Sequence, residues 1–550
     1  MKNKEKILYP FLIFLIWLIV YLISNLILGK NFEWDECKYL ACARGIAENL
    51  DFGSRSTTIE GLIKYGFPQH TTHYPLNSLY IAAFFKLFGV SLDVAYFSTW
   101  FSALVTCLFL YFILLLVTNN SYLFSFLLAI SFLFFPSMIF HINSVMMEIP
   151  GCALICILVY LMFRDLQRGK VNIILFATAA LFLYFYKSLF IGVVIGLIGL
   201  VKLTLFFGNK IGLEIRVKRP FLNFCLFVLI FVPVYFIFTK YIFLPLAPWI
   251  VFTHDHESSG AYADFVGGFF RDPLYNLTTN LGIFFKSVIL HYYPFSIIYL
   301  ENNEAFYDII PPWIELAFYF LVFFYTVMFS VLFWKKLRPL QKIFILFAVF
   351  SIISFNLIFV TLCGGSIGPL WRYNLYYVPL LLISFGIILL EVIGYIKPFY
   401  LRHKGWFSLL IVSIFIFIYV PLYYSAFLVL RHDDNFYFTV AQKNSELIKN
   451  FIGNTNPAFV YFSGGSHITW NMYPVREVFM EATNDMIKNI NRVLPKPIEY
   501  LFLSPGNFLF RQNQDLIFRK EPIVDSWYTF YGVDPQNQVV VYRLNKVETK

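Results

Sequence analysis

The chain has 550 residues, of which 59% are hydrophobic, 21% aromatic and 13% charged. Soluble domains carry about 25% charged residues, so a water-soluble globule is excluded, and so is a disordered chain, which needs low hydrophobicity and high charge. The formal net charge of +10 does not point to nucleic acid, because the basic residues sit in short connections between long apolar runs, where they report membrane topology.

In chain order, Met1–Lys6 is short and basic, and the apolar run Ile7–Leu28 follows at once. That run is too long for a signal-peptide core and no small-residue cleavage site follows it, so it reads as an uncleaved first span. Further runs at 92–117, 121–140, 145–163, 171–187, 189–207, 221–243, 312–334, 341–362, 371–396 and 406–430 are long enough, or nearly so, for a bilayer core of about 30 Å. With ambiguous pieces at 76–89 and 281–300, the expectation is a polytopic α-helical membrane protein of about eleven to thirteen spans. Lys2, Lys4, Lys6, Arg164, Arg168, Lys170, Lys202, Lys210, Lys335, Lys336, Arg338, Lys397 and Arg402 then fall on one side, and acidic connections on the other. This threading places the N-terminus in the cytoplasm and the C-terminus outside the cell or inner membrane.

Three outer segments are too long to be connectors: 29–91, 244–311 and 431–550. The first holds the apolar piece Leu76–Phe88, too short to span, which is expected at the interface. The last turns abruptly polar. It shows a helical start at Asn444–Asn450 and strand-like runs at Ala458–Phe462, Tyr500–Ser504 and Val539–Tyr542, so a small extracytoplasmic α/β domain is expected at 431–550 after a membrane module at 1–430. The seven cysteines are odd in number, lie mostly in apolar runs and form no disulfide framework. No nucleotide-binding glycine loop and no internal repeat is present.

Candidate chemistry gathers on the predicted outer face. Asp35 and Glu36 follow the first span, and on a helix Asp35 and Tyr39 share a face. A general base at the membrane surface and a solvated acidic loop both fit that pair. His73 and Tyr74 precede Leu76–Phe88 as a phosphate contact or as part of an aromatic belt. Glu148 sits at the outer end of an apolar run, where a carboxylate is costly without a partner or a function. Lys187 interrupts the apolar stretch 171–201, and Arg372 with Tyr373 opens a late span. A guanidinium binds phosphate through two donors, although lone cations also snorkel to headgroups. His254, Asp255, His256 and Glu257 offer weak candidate ligands for a divalent metal.

These motifs, in this order, resemble the GT-C glycosyltransferases, in the group of protein O-mannosyltransferases and lipid A aminoarabinose transferases. Asp35-Glu36-x-x-Tyr39 with Ala41 and Ala43 is similar to that group's first-loop motif. His73-Tyr74-Pro75-Leu76 through Lys86-Leu87-Phe88-Gly89 resembles its next segment. Tyr186-Lys187-Ser188 stands where the group has Thr-Lys-Gly, and Arg372-Tyr373 with Val378-Pro379-Leu380 resembles its late Arg-Tyr…Pro segment. The chain departs from the pattern at Glu148, where the group has Asp, and at Tyr74, where it has Pro.

The resemblance implies a polyprenyl-phosphate sugar donor and a lipid, glycan or protein acceptor outside the membrane. It further implies an inverting displacement at a catalytic group of Asp35, Glu36 and Glu148, with Asp35 as base and the other two orienting substrates or tuning it, Lys187, Arg372 and Tyr373 on the donor phosphate, and Tyr39, His73 and Tyr74 placing substrates. A cofactor is not required by this reading, and a divalent metal is left open. The rival reading is a non-enzymatic flippase or transporter of lipid or polysaccharide, which would place its polar groups near the bilayer midplane.

Overall fold

The structure, a computed structural model, describes residues 2–27, 34–51, 56–58, 76–118, 120–134, 141–168, 172–186, 198–199, 220–237, 332–363, 375–402, 436–455, 457–462, 475–479, 482–494, 496–536 and 538–545. In chain order the helices and strands are α1 (Lys2–Ile27), α2 (Trp34–Asn49), β1 (Ser56–Thr58), α3 (Leu76–Phe88), α4 (Leu92–Val117), α5 (Tyr122–Ser131), α6 (Glu148–Gln167), α7 (Ile173–Tyr186) and α8 (Pro220–Ile237). There follow α9 (Pro339–Cys363), α10 (Val378–Arg402), α11 (Phe436–Ile452), β2 (Phe459–Phe462), β3 (Arg476–Phe479), α12 (Asn484–Val493), β4 (Ile498–Leu503), α13 (Phe508–Gln512), α14 (Gln514–Phe518), β5 (Tyr528–Asp534) and β6 (Val539–Leu544). The chain divides into two compact units.

The first unit comprises 1–31, 99–239 and 257–432. Among the described residues, three helices are long and apolar enough to cross a bilayer: Glu5–Leu26, Leu92–Val117 and Glu148–Gln167. Shorter apolar helices accompany them within α5, α7, α8, α9 and α10. The run 92–117 is a helix over its whole length. Of the run expected at 121–140, α5 passes at Ser131 into a 3-10 turn, Phe132–Phe134, and residues 135–140 lie outside the described residues. The run expected at 145–163 shifts to Glu148–Gln167, because Pro150 is tolerated only in a first helical turn. The runs at 189–207, 312–334 and 406–430 lie almost wholly outside the described residues. Packing is close where side chains are small. A Cβ on Gly386 of α10 would collide with Leu128 of α5 and stand 3.2 Å from Leu114 Cδ2 of α4, the small-residue device of membrane helix pairs. The Trp17 indole donates to the Trp100 carbonyl at 2.7 Å. The Arg338 guanidinium and the Gln341 amide both donate to the Val117 carbonyl at the end of α4, where a cation also complements the helix dipole.

The second unit comprises 32–98, 240–256 and 433–550. Its centre is a six-stranded sheet in the order β1-β3-β2-β4-β6-β5. β1, β3, β2 and β4 run parallel, and β6 and β5 close the other side antiparallel. Period-2 alternation splits the core between the two faces. Val460, Phe462, Tyr500, Phe502, Val539 and Val541 pack with Leu447, Ile448 and Ile452 of α11. Phe459, Tyr461, Leu501, Leu503 and Tyr542 pack with α12, α13 and α14. The strands expected at Ala458–Phe462, Tyr500–Ser504 and Val539–Tyr542 are β2, β4 and β6. The helix read at Asn444–Asn450 extends over Phe436–Ile452. β1, β3 and β5 were not foreseen. β1 comes from the first long segment, residues 29–91, which therefore contributes an edge strand to the sheet. A Cβ on Gly532 of β5 would lie 2.6 Å from Phe451 Cε1, so glycine lets the strand approach α11 there.

Candidate active site

The Asp35-Glu36 pair lies in the first turn of α2, where two negative side chains complement the positive end of the helix dipole. Ala41, Ala43 and Ala47 favour the helix and keep its inner face slim. That face, with Tyr39, Leu40, Ala43, Ile46 and Ala47 buried, packs against α3, which buries Asn77, Ser78, Ile81, Ala82 and Phe85. The Ser78 hydroxyl donates to the Tyr39 carbonyl at 3.3 Å. Lys86 Nζ donates to the Ala47 carbonyl at 3.2 Å, so the Lys of Lys86-Leu87-Phe88-Gly89 caps the last turn of α2. Gly89 ends α3 with φ +91°, a left-handed position that favours glycine, and its N–H donates to the Phe85 carbonyl at 2.9 Å.

Asp35 and Tyr39 sit one turn apart on α2, as a helical reading requires. The side chain of Asp35 is outside the described residues, as are His73 and Tyr74. Glu36 is fully buried, so the solvated-loop reading does not hold for that side chain. The reason is register: Glu36 leads the face that continues through Tyr39, Leu40 and Ala43 into the contact with α3. The end of α2 is tied to the sheet within the same unit. Leu50 adopts a left-handed φ of 54°. The Leu50 N–H donates to the Ile46 carbonyl at 3.0 Å, closing the helix in an αL motif, and the Asp51 N–H donates to the Gly45 carbonyl at 3.1 Å. Asp51 Oδ2 then lies 3.7 Å from Arg476 Nη2 at the start of β3.

In the first unit, Glu148 is the first residue of α6 and is fully buried. The Tyr376 hydroxyl donates to Glu148 Oε1 at 3.4 Å, from the 3-10 turn Leu375–Tyr377 that packs on α6. The helix N-terminus adds a favourable field for the carboxylate. Around it the backbone is held by polar side chains. Ser144 donates to the His141 carbonyl at 3.0 Å and accepts from Met146 N at 3.4 Å. The Tyr186 hydroxyl donates to the Met147 carbonyl at 3.1 Å. His141 and Asn143 are buried beside this turn in sequence. Reasoning from sequence missed His141, Asn143 and Tyr376. The signal available was the polar stretch His141-Ile142-Asn143-Ser144 interrupting an apolar run.

Lys187, Arg372, Tyr373, His254, Asp255, His256 and Glu257 lie outside the described residues. Lys187 directly follows Tyr186, and Arg372 stands four residues before Tyr376. Among the described residues, no group of three or more His, Cys, Asp or Glu side chains is placed to hold a metal ion. Cys107, Cys156 and Cys225 are free thiols.

The fold that joins apolar helices to a mixed sheet is shared with solved structures. The chain is similar to the crystal structure of ArnT from Cupriavidus metallidurans in the apo state, with a TM-score of 0.53 and 13% identity over 98% of both chains. It is also similar to the same protein bound to undecaprenyl phosphate, with a TM-score of 0.51 and 13% identity over 96% of this chain and 97% of that one. No sequence-family profile matches the chain, and no curated protein matches it.

Proposed function

We propose that this chain is a membrane glycosyltransferase that moves a sugar from a polyprenyl-phosphate donor to an acceptor outside the membrane. The observation that carries the proposal is the fold shared along 98% of the chain with ArnT, in which Asp35-Glu36-x-x-Tyr39 opens a helix. The ArnT structure that holds undecaprenyl phosphate supports a lipid-phosphate donor. A donor that diffuses in the bilayer also suits a site with no nucleotide-binding loop.

In this mechanism Asp35 accepts the proton of the acceptor nucleophile as it attacks the anomeric carbon, and the polyprenyl phosphate departs from the opposite side with inversion. The leaving group needs charge neutralisation more than protonation, which Lys187 and Arg372, with Tyr373, supply. Tyr39, His73 and Tyr74 place the substrates. Glu148, which accepts from Tyr376, and Glu36 orient substrates or tune Asp35. His254, Asp255, His256 and Glu257 offer ligands for a divalent cation, and comparing transfer rates with and without a chelator decides whether one is used. The second unit is proposed to face outward, with the N-terminus in the cytoplasm.

The test is incubation of purified full-length protein with labelled polyprenyl-phosphate sugars and lipid, glycan and peptide acceptors. Transfer with inverted anomeric configuration is expected. Movement of intact lipid-linked sugar across a vesicle membrane with no transfer would instead establish the flippase reading.

A further inference from the structure

Exposed apolar side chains are informative where they gather on one surface rather than scatter singly. In the second unit α13 and α14 expose Phe508 by 45%, Leu516 by 36% and Phe518 by 69%. Arg511, Arg519 and Lys520 are exposed on the same short stretch, against the two acids Asp515 and Glu521. This display is not a frayed loop. Leu509, Phe510 and Ile517 anchor its inner side in the core beneath the sheet. The Asn507 side chain accepts from Leu509 N at 2.8 Å and Phe510 N at 3.3 Å. It also donates to the Tyr461 hydroxyl at 3.0 Å. The Asn513 side chain donates to the Leu509 carbonyl and to Asn484 Oδ1, both at 2.8 Å. A rigid turn thus presents aromatic rings flanked by cations.

We propose that α13 and α14 form a docking surface for anionic lipid headgroups of the bilayer that the chain's own apolar helices occupy. Exposed aromatic and aliphatic side chains beside arginine and lysine are the chemistry of an interfacial contact: rings enter the headgroup layer and cations meet phosphate. Tethering decides between this occupant and a soluble partner. A free protein pays for lost translational and rotational freedom on binding, whereas the bilayer is held at high effective concentration by the spans of the same chain. A patch of three apolar side chains is weak alone and sufficient when tethered.

The test uses the full chain in lipid nanodiscs carrying nitroxide-headgroup lipids. An environment-sensitive fluorescent amino acid replaces Phe518 in one sample. In another it replaces Lys449, which is exposed on α11 across the sheet. Quenching at 518 is expected to exceed that at 449 several-fold. It is expected to fall at least twofold in the triple variant Arg511→Gln, Arg519→Gln, Lys520→Gln and when anionic lipid is replaced by zwitterionic lipid. All three substitutions are at exposed positions, and hydrogen exchange of β4 verifies that the fold is kept. Equal quenching at 518 and 449, or quenching at 518 that ignores both lipid charge and the triple substitution, overturns the proposal.

Discussion

In the bundle of apolar helices, α1 leaves Ile7, Phe11 and Leu26 uncovered, whereas α12 beside the sheet buries Ile487 and Ile490 and turns Asp485 outward. The first pattern suits a helix whose solvent is lipid, and the second a helix whose solvent is water. The two regions also treat carboxylates differently. Glu148 heads a helix and receives a hydroxyl from Tyr376. Glu36, equally buried, heads the face of α2 that packs on α3. Burial at a helix N-terminus is thus common to both, and Glu36 is not the solvated loop residue that one reading of the sequence offered. In the proposed mechanism the buried pair does positioning work and Asp35 is the base.

The largest effect expected from that division is catalytic. A general base contributes about 10²–10⁴-fold, so Asp35→Asn should lower the transfer rate by about that factor while donor binding persists. Glu36→Gln keeps shape and loses charge inside the α2–α3 contact, and it should show mainly as faster hydrogen exchange in α2. The pair of variants is compared at matched expression, with transfer and exchange measured on the same samples. Near-normal transfer by Asp35→Asn would move the base elsewhere, with Glu148 the first residue to test.

Next in size are the tyrosines inside the sheet region. The Tyr528 hydroxyl donates to the Ile498 carbonyl at 2.7 Å and accepts from Asn491 Nδ2 at 2.7 Å. Tyr528→Phe leaves both buried partners short of a hydrogen bond, at a cost of about 1–3 kcal/mol. It should appear as lost exchange protection in β4 and β5 with α6 unchanged. Tyr542 carries the pH prediction. Burial pushes its phenol up to about 12, from about 10 in an unfolded chain. The folded state therefore holds the proton to higher pH than the unfolded state. Its contribution is intact below pH about 10 and is lost as pH rises toward about 12. Exchange protection of β6 should fall across that window in the native protein, and Tyr542→Phe should flatten the fall. A fall unchanged by Tyr542→Phe assigns it to another group.

How much was legible in the sequence follows from the same contrast. α4 could be read over its full length, because a predominantly apolar run of 26 residues is long enough to cross a bilayer. Which face of such a helix meets neighbours could not be read, since α7 is apolar all round and carries no period. His141, Asn143 and Tyr376 were therefore missed, although the polar interruption at 141–144 marked the place. In the sheet region β2, β4 and β6 were visible as apolar runs. β3 has four residues and β1 three, too short for alternation to register, and their pairing joins segments far apart in sequence. The motif order pointed to Asp35 as the base, and the burial of Glu36 in the face of α2 that packs on α3 could not be read from it.

A smaller effect tests the tie between α2 and the sheet. Asp51 and Arg476, 3.7 Å apart and each about one-third exposed, should couple by less than about 1 kcal/mol. A double-mutant cycle with Asp51→Asn and Arg476→Gln, read by exchange in β1 and β3, measures it. A coupling indistinguishable from zero would leave β-strand pairing as the whole of that connection.

The smallest expected effect has an opposite sign and lies one residue earlier. Leu50 closes α2 with φ 54°, a conformation that costs a side-chain-bearing residue about 1–2 kcal/mol. Its side chain is largely exposed, so little packing would be lost by removing it. Glycine adopts the left-handed position without strain but has more freedom to lose on folding, at about 0.5–1 kcal/mol. The strain relieved exceeds the entropy lost, so Leu50→Gly should stabilise the end of α2 by about 0.5 kcal/mol. Slower hydrogen exchange at the Leu50 and Asp51 amides would register it, because their bonds to the Ile46 and Gly45 carbonyls at 3.0 and 3.1 Å open when the cap frays. Faster exchange at these amides would mean that Leu50 is held by contacts outweighing its strain. The anchor of the Asp35 helix would then lie in its side chain and not in the backbone turn.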